Sequence, residues 1–225
     1  HHADAGYIVA RCHNQVMFMD VAPVGPDYQP GHAHADTLSF EWSVFGQRVL
    51  VNTGTSLYGE SDERLRQRGT AAHNTVVING QNSSEVWGGF RVARRARPFN
   101  VQTEQSNEVV VVRAAHDGYH RLRPKITHHR EWRIAPGSLD IRDTLKGRVH
   151  SAVAYFHVHP DVRVMQDGTR LVLKLPDEKT CEVSVDGGSV SLETGTWHPQ
   201  FGVTQTNQRI AVTFTGPVLS TRLRY

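Results

Sequence analysis

The sequence has no apolar run of even 18 residues, which excludes a helix that crosses a bilayer. It has only two cysteines, Cys12 and Cys181, and no Cys-x-x-Cys pair. That excludes a paired-thiolate zinc cluster or a dithiol redox motif, while spacing alone leaves one disulfide and two separate thiols both open. Charge of one sign is also missing. Lys and Arg number 25 against 22 Asp and Glu, and a net +3 is too weak a footprint for a nucleic-acid binder. It leaves room for an acidic ligand. Low-complexity tracts, internal repeats and amphipathic helical stripes are absent too. With 38% hydrophobic residues the chain is not disordered, and 225 residues suffice for a sizeable core. Histidine is the one residue in excess, 14 in all.

What is present is strand after strand. Tyr7–Cys12 and Gln15–Asp20 flank a turn at His13-Asn14, and Leu38–Phe45 and Gln47–Val51 flank Gly46. Asn74–Ile78 runs into Asn79-Gly80, a tight-turn pair because both residues tolerate positive φ. Further alternating runs are Glu108–Arg113, Thr127–Ile134, Ser138–Arg142, Ala152–His157, Arg170–Lys174, Cys181–Val185, Ser189–Leu192, Ile210–Phe214 and Ser220–Tyr225. Many short strands without alternating helices predict an all-β fold, a large two-sheet antiparallel β-sandwich over residues 1–225. Glu60–Ala72 has a helical turn but no apolar stripe, so a surface loop is expected there.

The densest polar cluster lies between Gly31 and Asn74. His32 and His34 are two apart in an extended segment and share a face, which suits metal binding or catalysis. A pair of surface histidines reads the same way on spacing alone. Asn52 ends a strand 18 residues after His34, and His73-Asn74 begins another 21 residues after Asn52. Polar groups at strand ends are held rigidly, as a site requires. Tyr58 lies between them in a Gly-bounded loop, and a phenol can pass a proton.

The run His32-Ala-His-Ala-Asp-Thr-Leu-Ser-Phe40, then Asn52-Thr-Gly-Thr55, then Arg68-Gly-Thr-Ala-Ala-His-Asn-Thr-Val76 resembles the C-terminal β-sandwich of the heparinase II/III family of polysaccharide lyases. Alginate and oligoalginate lyases share these segments. Asp4–Arg11 and Trp197–Gly202 are similar to family segments as well. The resemblance implies β-elimination on a uronic-acid-containing acidic polysaccharide, in a bacterial periplasm or outside the cell. A base removes the C5 proton, and an acid protonates the leaving glycosidic oxygen. It implies catalytic roles for His32 and Tyr58, and a zinc ion held by His34, residue 52 and His73. It also implies an N-terminal helical toroid that completes the cleft, so this chain is expected to be part of a longer protein and inactive alone.

One departure stands out. Where the family has Asp, this sequence has Asn52, and a neutral amide is a much weaker zinc ligand than a carboxylate. Arg64, Arg68 and Asn74 are candidates for substrate contact, against a reading of the arginines as salt-bridge partners of Asp62 and Glu63. Arg91, Arg94, Arg95 and Arg97, with Trp87 and Phe90 nearby, suit either an acidic-glycan groove or a solvated loop. His157, His159, Trp132 and Trp197 are assigned to structure. Two other functional classes stay open: a non-catalytic module that binds acidic glycan or forms an interface, and a cupin-like metalloprotein in which Glu41 is a ligand.

Overall fold

The structure, a computed structural model, describes residues 2–167 and 170–225. Period-two alternation puts apolar side chains on one face, and three antiparallel sheets pack those faces together. In one sheet Tyr7–Cys12, Gln15–Asp20, Phe40–Val44 and Gln47–Leu50 pair in chain order. In a second the order is Ser189–Trp197, Gln205–Phe214, Ala152–His157, Val76–Ile78. A bridge between Leu50 and Val158 joins these two edge to edge, with Val51 N–H donating to His157 O and His159 N–H to Val49 O, both at 2.9 Å.

The third sheet has eight strands: Arg163–Asp167, Arg170–Lys174, Thr180–Asp186, Val218–Arg224, Ser138–Lys146, Thr127–Ala135, Val109–His116 and Pro98–Ser106, in that order. All three sheets contribute to one apolar cluster, which includes Trp42, Ile78, Trp132, Ile141, Phe156, Leu173 and Val212. The all-β sandwich read from the sequence is the fold observed. Cys12 and Cys181 are both buried free thiols. No helix among the described residues is long and apolar enough to cross a membrane.

Two of the eight strands have no counterpart in the sequence reading. Pro98–Ser106 and Arg163–Asp167 are the two edges of the large sheet, and most of their side chains face solvent. An edge strand with little to bury has no reason to alternate, and polar side chains there discourage pairing with other chains. The Glu60–Ala72 segment also differs from the expected loop. Asp62–Arg68 forms helix α1, capped by Ser61, whose hydroxyl accepts from Arg64 N–H at 3.1 Å. Its buried residues are Arg64, Gln67 and Arg68, an i, i+3, i+4 stripe of the right spacing but polar composition.

The layers are also joined through buried charge. Arg130 pairs with Asp143 (Nε–Oδ1 2.7 Å, Nη2–Oδ2 3.0 Å), and both are buried. Arg130 Nη1 donates across the interior to Leu38 O at 2.8 Å and Asn74 O at 2.7 Å. His128 bonds the same carboxylate at 2.6 Å and His116 at 3.1 Å. Burial works against the Asp143 charge, but Arg130 and His128 outweigh it and bring its pKa down to about 2.

Burial lowers the pKa values of His116, His128 and His157, the last to about 3. Each therefore stabilises the fold fully above its unfolded value near 6.5 and loses that contribution as pH falls toward the folded value. Asp143 adds a further loss between about pH 4 and 2. Guanidinium unfolding midpoints are expected to fall steadily from pH 7 to pH 4, at up to about 1.4 kcal/mol per pH unit per histidine. A flat profile over that range would show that these rings accept protons in the folded state.

Candidate functional site

Segments from four connections meet at one end of the sandwich. His32 ends a single 3-10 turn, Pro30–His32, and the chain continues through an extended Ala33 to His34 and Asp36. The chain then turns through Leu38, whose φ of 61° is uncommon for a non-glycine residue. That turn is held by Leu38 N–H to Asp20 O (3.1 Å), Ser39 N–H to Asp36 O (2.8 Å) and the Arg130 contact. Asn52 lies just past the strand Gln47–Leu50, and His73 lies between a 3-10 turn and the strand Val76–Ile78.

These placements bring His34, Asn52 and His73 together, as the motifs predict. The rings of His34 and His73 are 5.2 Å apart between centroids. His73 Nδ1–H donates to Asn52 Oδ1 at 2.8 Å, and His73 Nε2 is buried without a hydrogen-bond partner. His34 Nε2 is engaged by Thr55 Oγ1 at 3.4 Å and Arg64 Nη1 at 3.3 Å. Burial pushes both imidazoles down to about 3, with their proximity adding to the effect at His34. Both are therefore neutral near pH 7, the state in which a ring nitrogen can ligate.

A residue the sequence reading passed over joins them. One ligand atom each from His34, Asp36 and His73 lie within 4.8 Å of one another, a donor set that suits a metal ion. A signal was available in the sequence: Asp36 is two residues after His34, the same spacing that paired His32 with His34. Burial raises the carboxyl pKa values of both Asp20 and Asp36, and at Asp20 the neighbouring Asp36 adds to the effect. Glu41, the ligand of a cupin-like site, is instead ion-paired with Arg48 at 2.8 Å and stands outside the cluster.

His32 and Tyr58 form the outward-facing part. Their ring centroids are 5.3 Å apart, and Tyr58 is 47% exposed. Phe90 and Phe201 flank the phenol at 6.0 and 5.1 Å, and the Arg64 guanidinium carbon lies 5.2 Å from its ring centroid. Two cavities open beside the cluster. One, of about 350 Å³, is lined by Asp20, Asp36, Glu41 and Asn52, and the other, of about 220 Å³, by His32, His34, Asp20 and Asp36.

Arg64, Arg68 and Asn74, the candidates for substrate contact, are all buried. Arg68 donates to the carbonyls of Ala33 (3.0 Å), Gly88 (3.1 Å) and Arg91 (3.3 Å). Arg64 reaches Gly89 O and His34, and Asn74 Nδ2 donates to Phe40 O and Val51 O. Their polar atoms serve the fold, with one exception: Arg64 Nη2 is buried without a partner. Arg91, Arg94 and Arg97 are exposed, and Arg91 is stacked at 4.7 Å on the exposed Trp87. Arg94 and Arg95 are ion-paired with Glu85 and Asp27. Trp132, Trp197 and His157 are buried, consistent with structural roles.

The model of the Heparinase II/III-like, C-terminal family matches residues 1–225. The chain belongs to this family. Similar solved structures include the heparan sulfate lyase HepC from Pedobacter heparinus, at TM-score 0.79 and 18% identity, and a heparinase III, at 0.78 and 18%. A third, the heparinase III BT4657 gene product, aligns at 0.78 and 14%. Each alignment covers 98% of this chain and 35% of the other. At these identities the likeness establishes a shared fold, and the chain spans about a third of those proteins' length. No curated protein matches.

The buried stripe of α1 gives a direct test of its role. Arg68→Ala leaves three carbonyls unpaired and is expected to cost about 2–5 kcal/mol of unfolding free energy. Arg91→Ala, on the exposed hairpin formed by Val86–Trp87 and Arg91–Val92, is expected to stay within about 0.5 kcal/mol. Denaturant titration of both variants decides it, and an unaffected Arg68→Ala would return that residue to the list of surface contacts.

Proposed function

We propose that this chain is the β-sandwich part of a lyase that cleaves a uronic-acid-containing acidic polysaccharide by β-elimination. The observation that carries the reading is the exposed His32–Tyr58 pair beside the buried His34–His73 pair, in a chain matched throughout by the heparinase II/III-like family. Elimination needs a proton taken from C5, the adjacent carboxylate neutralised, and a proton returned to the leaving glycosidic oxygen. Tyr58 is accessible enough to move a proton. Arg64 supplies fixed positive charge next to the group that carries negative charge during that transfer. His32, alongside, is suited to contact the substrate carboxylate.

The buried histidine pair would hold a zinc ion, with Asn52 beside it, and zinc there would polarise a bound oxygen. Its neutral rings and the partnerless Nε2 of His73 favour that assignment. A helical toroid preceding this region would close the other side of the cleft and supply further catalytic groups. The family context favours work in the periplasm or outside the cell. A second reading, a module that binds acidic glycan without cleaving it, is favoured by the exposed Trp87–Arg91 stack.

Both readings are separated by one assay in the intact protein. The unsaturated uronate product absorbs in the ultraviolet, so a panel of acidic polysaccharides can be screened directly. His32→Ala and Tyr58→Phe are each expected to lower turnover about 10²–10⁴-fold with an unchanged circular dichroism spectrum. Wild-type rates in both variants would remove the chemistry from these residues. Binding without cleavage on every polymer would favour the second reading.

A further inference from the structure

Taking the metal reading above as its starting point, the further question is which residue supplies negative charge to the ion. Two neutral imidazoles and the Asn52 amide carry none, and oxygen ligands of divalent zinc are ordinarily carboxylates. Asn52 is also already engaged, since its Oδ1 accepts from His73 Nδ1 at 2.8 Å. A ligating histidine characteristically donates its second ring N–H to an oxygen that fixes the tautomer and the ring orientation. Asn52 has that position relative to His73.

Asp36 has the charge and the placement. One of its carboxylate oxygens lies within 4.8 Å of a ligand atom of both His34 and His73. Asp20 also lies in this corner, but its Oδ1 accepts from Ala22 N–H at 2.8 Å and it stands outside the three-residue cluster. Asp36 lines both cavities, so an ion has access from solvent along a wall that also carries Asp20. Burying carboxyl groups near one another is unfavourable unless something offsets their charge. Among the described residues, no lysine or arginine forms an ion pair with either one.

We propose that Asp36 supplies the carboxylate of a two-histidine, one-carboxylate divalent-cation site with His34 and His73, and that Asn52 orients His73 from outside the ligand set. The acid thus comes from two residues after His34, not from position 52. Such a set leaves coordination positions open, as in sites that bind water or a substrate oxygen.

The test needs no polysaccharide. The intact protein is stripped with chelator and titrated with Zn²⁺ by calorimetry, and Co²⁺ is added separately for its visible ligand-field bands. Asp36→Asn is expected to weaken Zn²⁺ by about 100-fold or more and to change the Co²⁺ bands. Asn52→Ala is expected to weaken it by only about 10–100-fold and to keep the bands, as loss of a partner outside the ligand set does. If Asp36→Asn does not fold, Asp36→Glu, which moves the carboxylate by one methylene, is expected to alter the bands. Unchanged affinity in Asp36→Asn, a larger loss in Asn52→Ala than in Asp36→Asn, or an unchanged spectrum in Asp36→Glu would overturn the assignment while leaving the lyase reading intact. A wild-type protein that takes up neither ion would overturn the metal reading with it. Absent polysaccharide cleavage despite the expected metal behaviour would count against the lyase reading alone.

Discussion

The Arg130 guanidinium is the contact on which the site depends. It is tied to Asp143 within the large sheet and reaches across the interior to the carbonyls of Leu38 and Asn74. Leu38 belongs to the turn that follows Asp36, and Asn74 follows His73. Asn74 extends the span, donating to Phe40 O and Val51 O and accepting His157 N–H at 2.6 Å. Two carbonyls and one side-chain amide thereby fix the segments bearing Asp36, Asn52 and His73 relative to one rigid layer. Such buried charge is a poor source of net stability, because desolvation offsets most of the Coulombic attraction. Its effect here is geometric. A hydrocarbon in place of Arg130 would leave the Leu38 and Asn74 carbonyls unsatisfied, and a turn in the left-handed region at Leu38 without its anchor.

That division between rigid layer and hung segments explains how far the sequence could be read. Tyr7–Cys12, Gln15–Asp20, Ala152–His157 and Arg170–Lys174 have the same bounds in the sequence and in the structure. Their alternation records which face is buried. Pro98–Ser106 and Arg163–Asp167 are silent because edge strands bury little. The convergence of His34, Asn52 and His73 was legible from three ordered motifs, since strand ends bring distant residues together. Asp36 is not marked by the departure at Asn52, although its two-residue spacing from His34 puts it in reach. The burial of Arg64 and Arg68 is not legible for a general reason: arginines are rarely fully buried, so a charged helix reads as solvated. Nothing in their spacing distinguishes a stripe facing carbonyls from one facing water.

The polar stripe of α1 has a further effect. A helix of seven residues is too short to persist on its own, and this one has no apolar face to dock. Arg64 and Arg68 donate instead to the backbone of Ala33, Gly88, Gly89 and Arg91. Gly89 sits so close to the Gly59 carbonyl that a Cβ there would come within 2.3 Å of it. The histidine segment, the Tyr58 loop, α1 and the Trp87–Arg91 hairpin are thus fastened to one another as well as to the core. Segments fastened in this way are expected to exchange their amides as one cooperative unit. Slowing of amide exchange at the hairpin is then a report on the order of His34, some way from where the protons are counted, and whatever stiffens the outer hairpin also stiffens the buried ring pair.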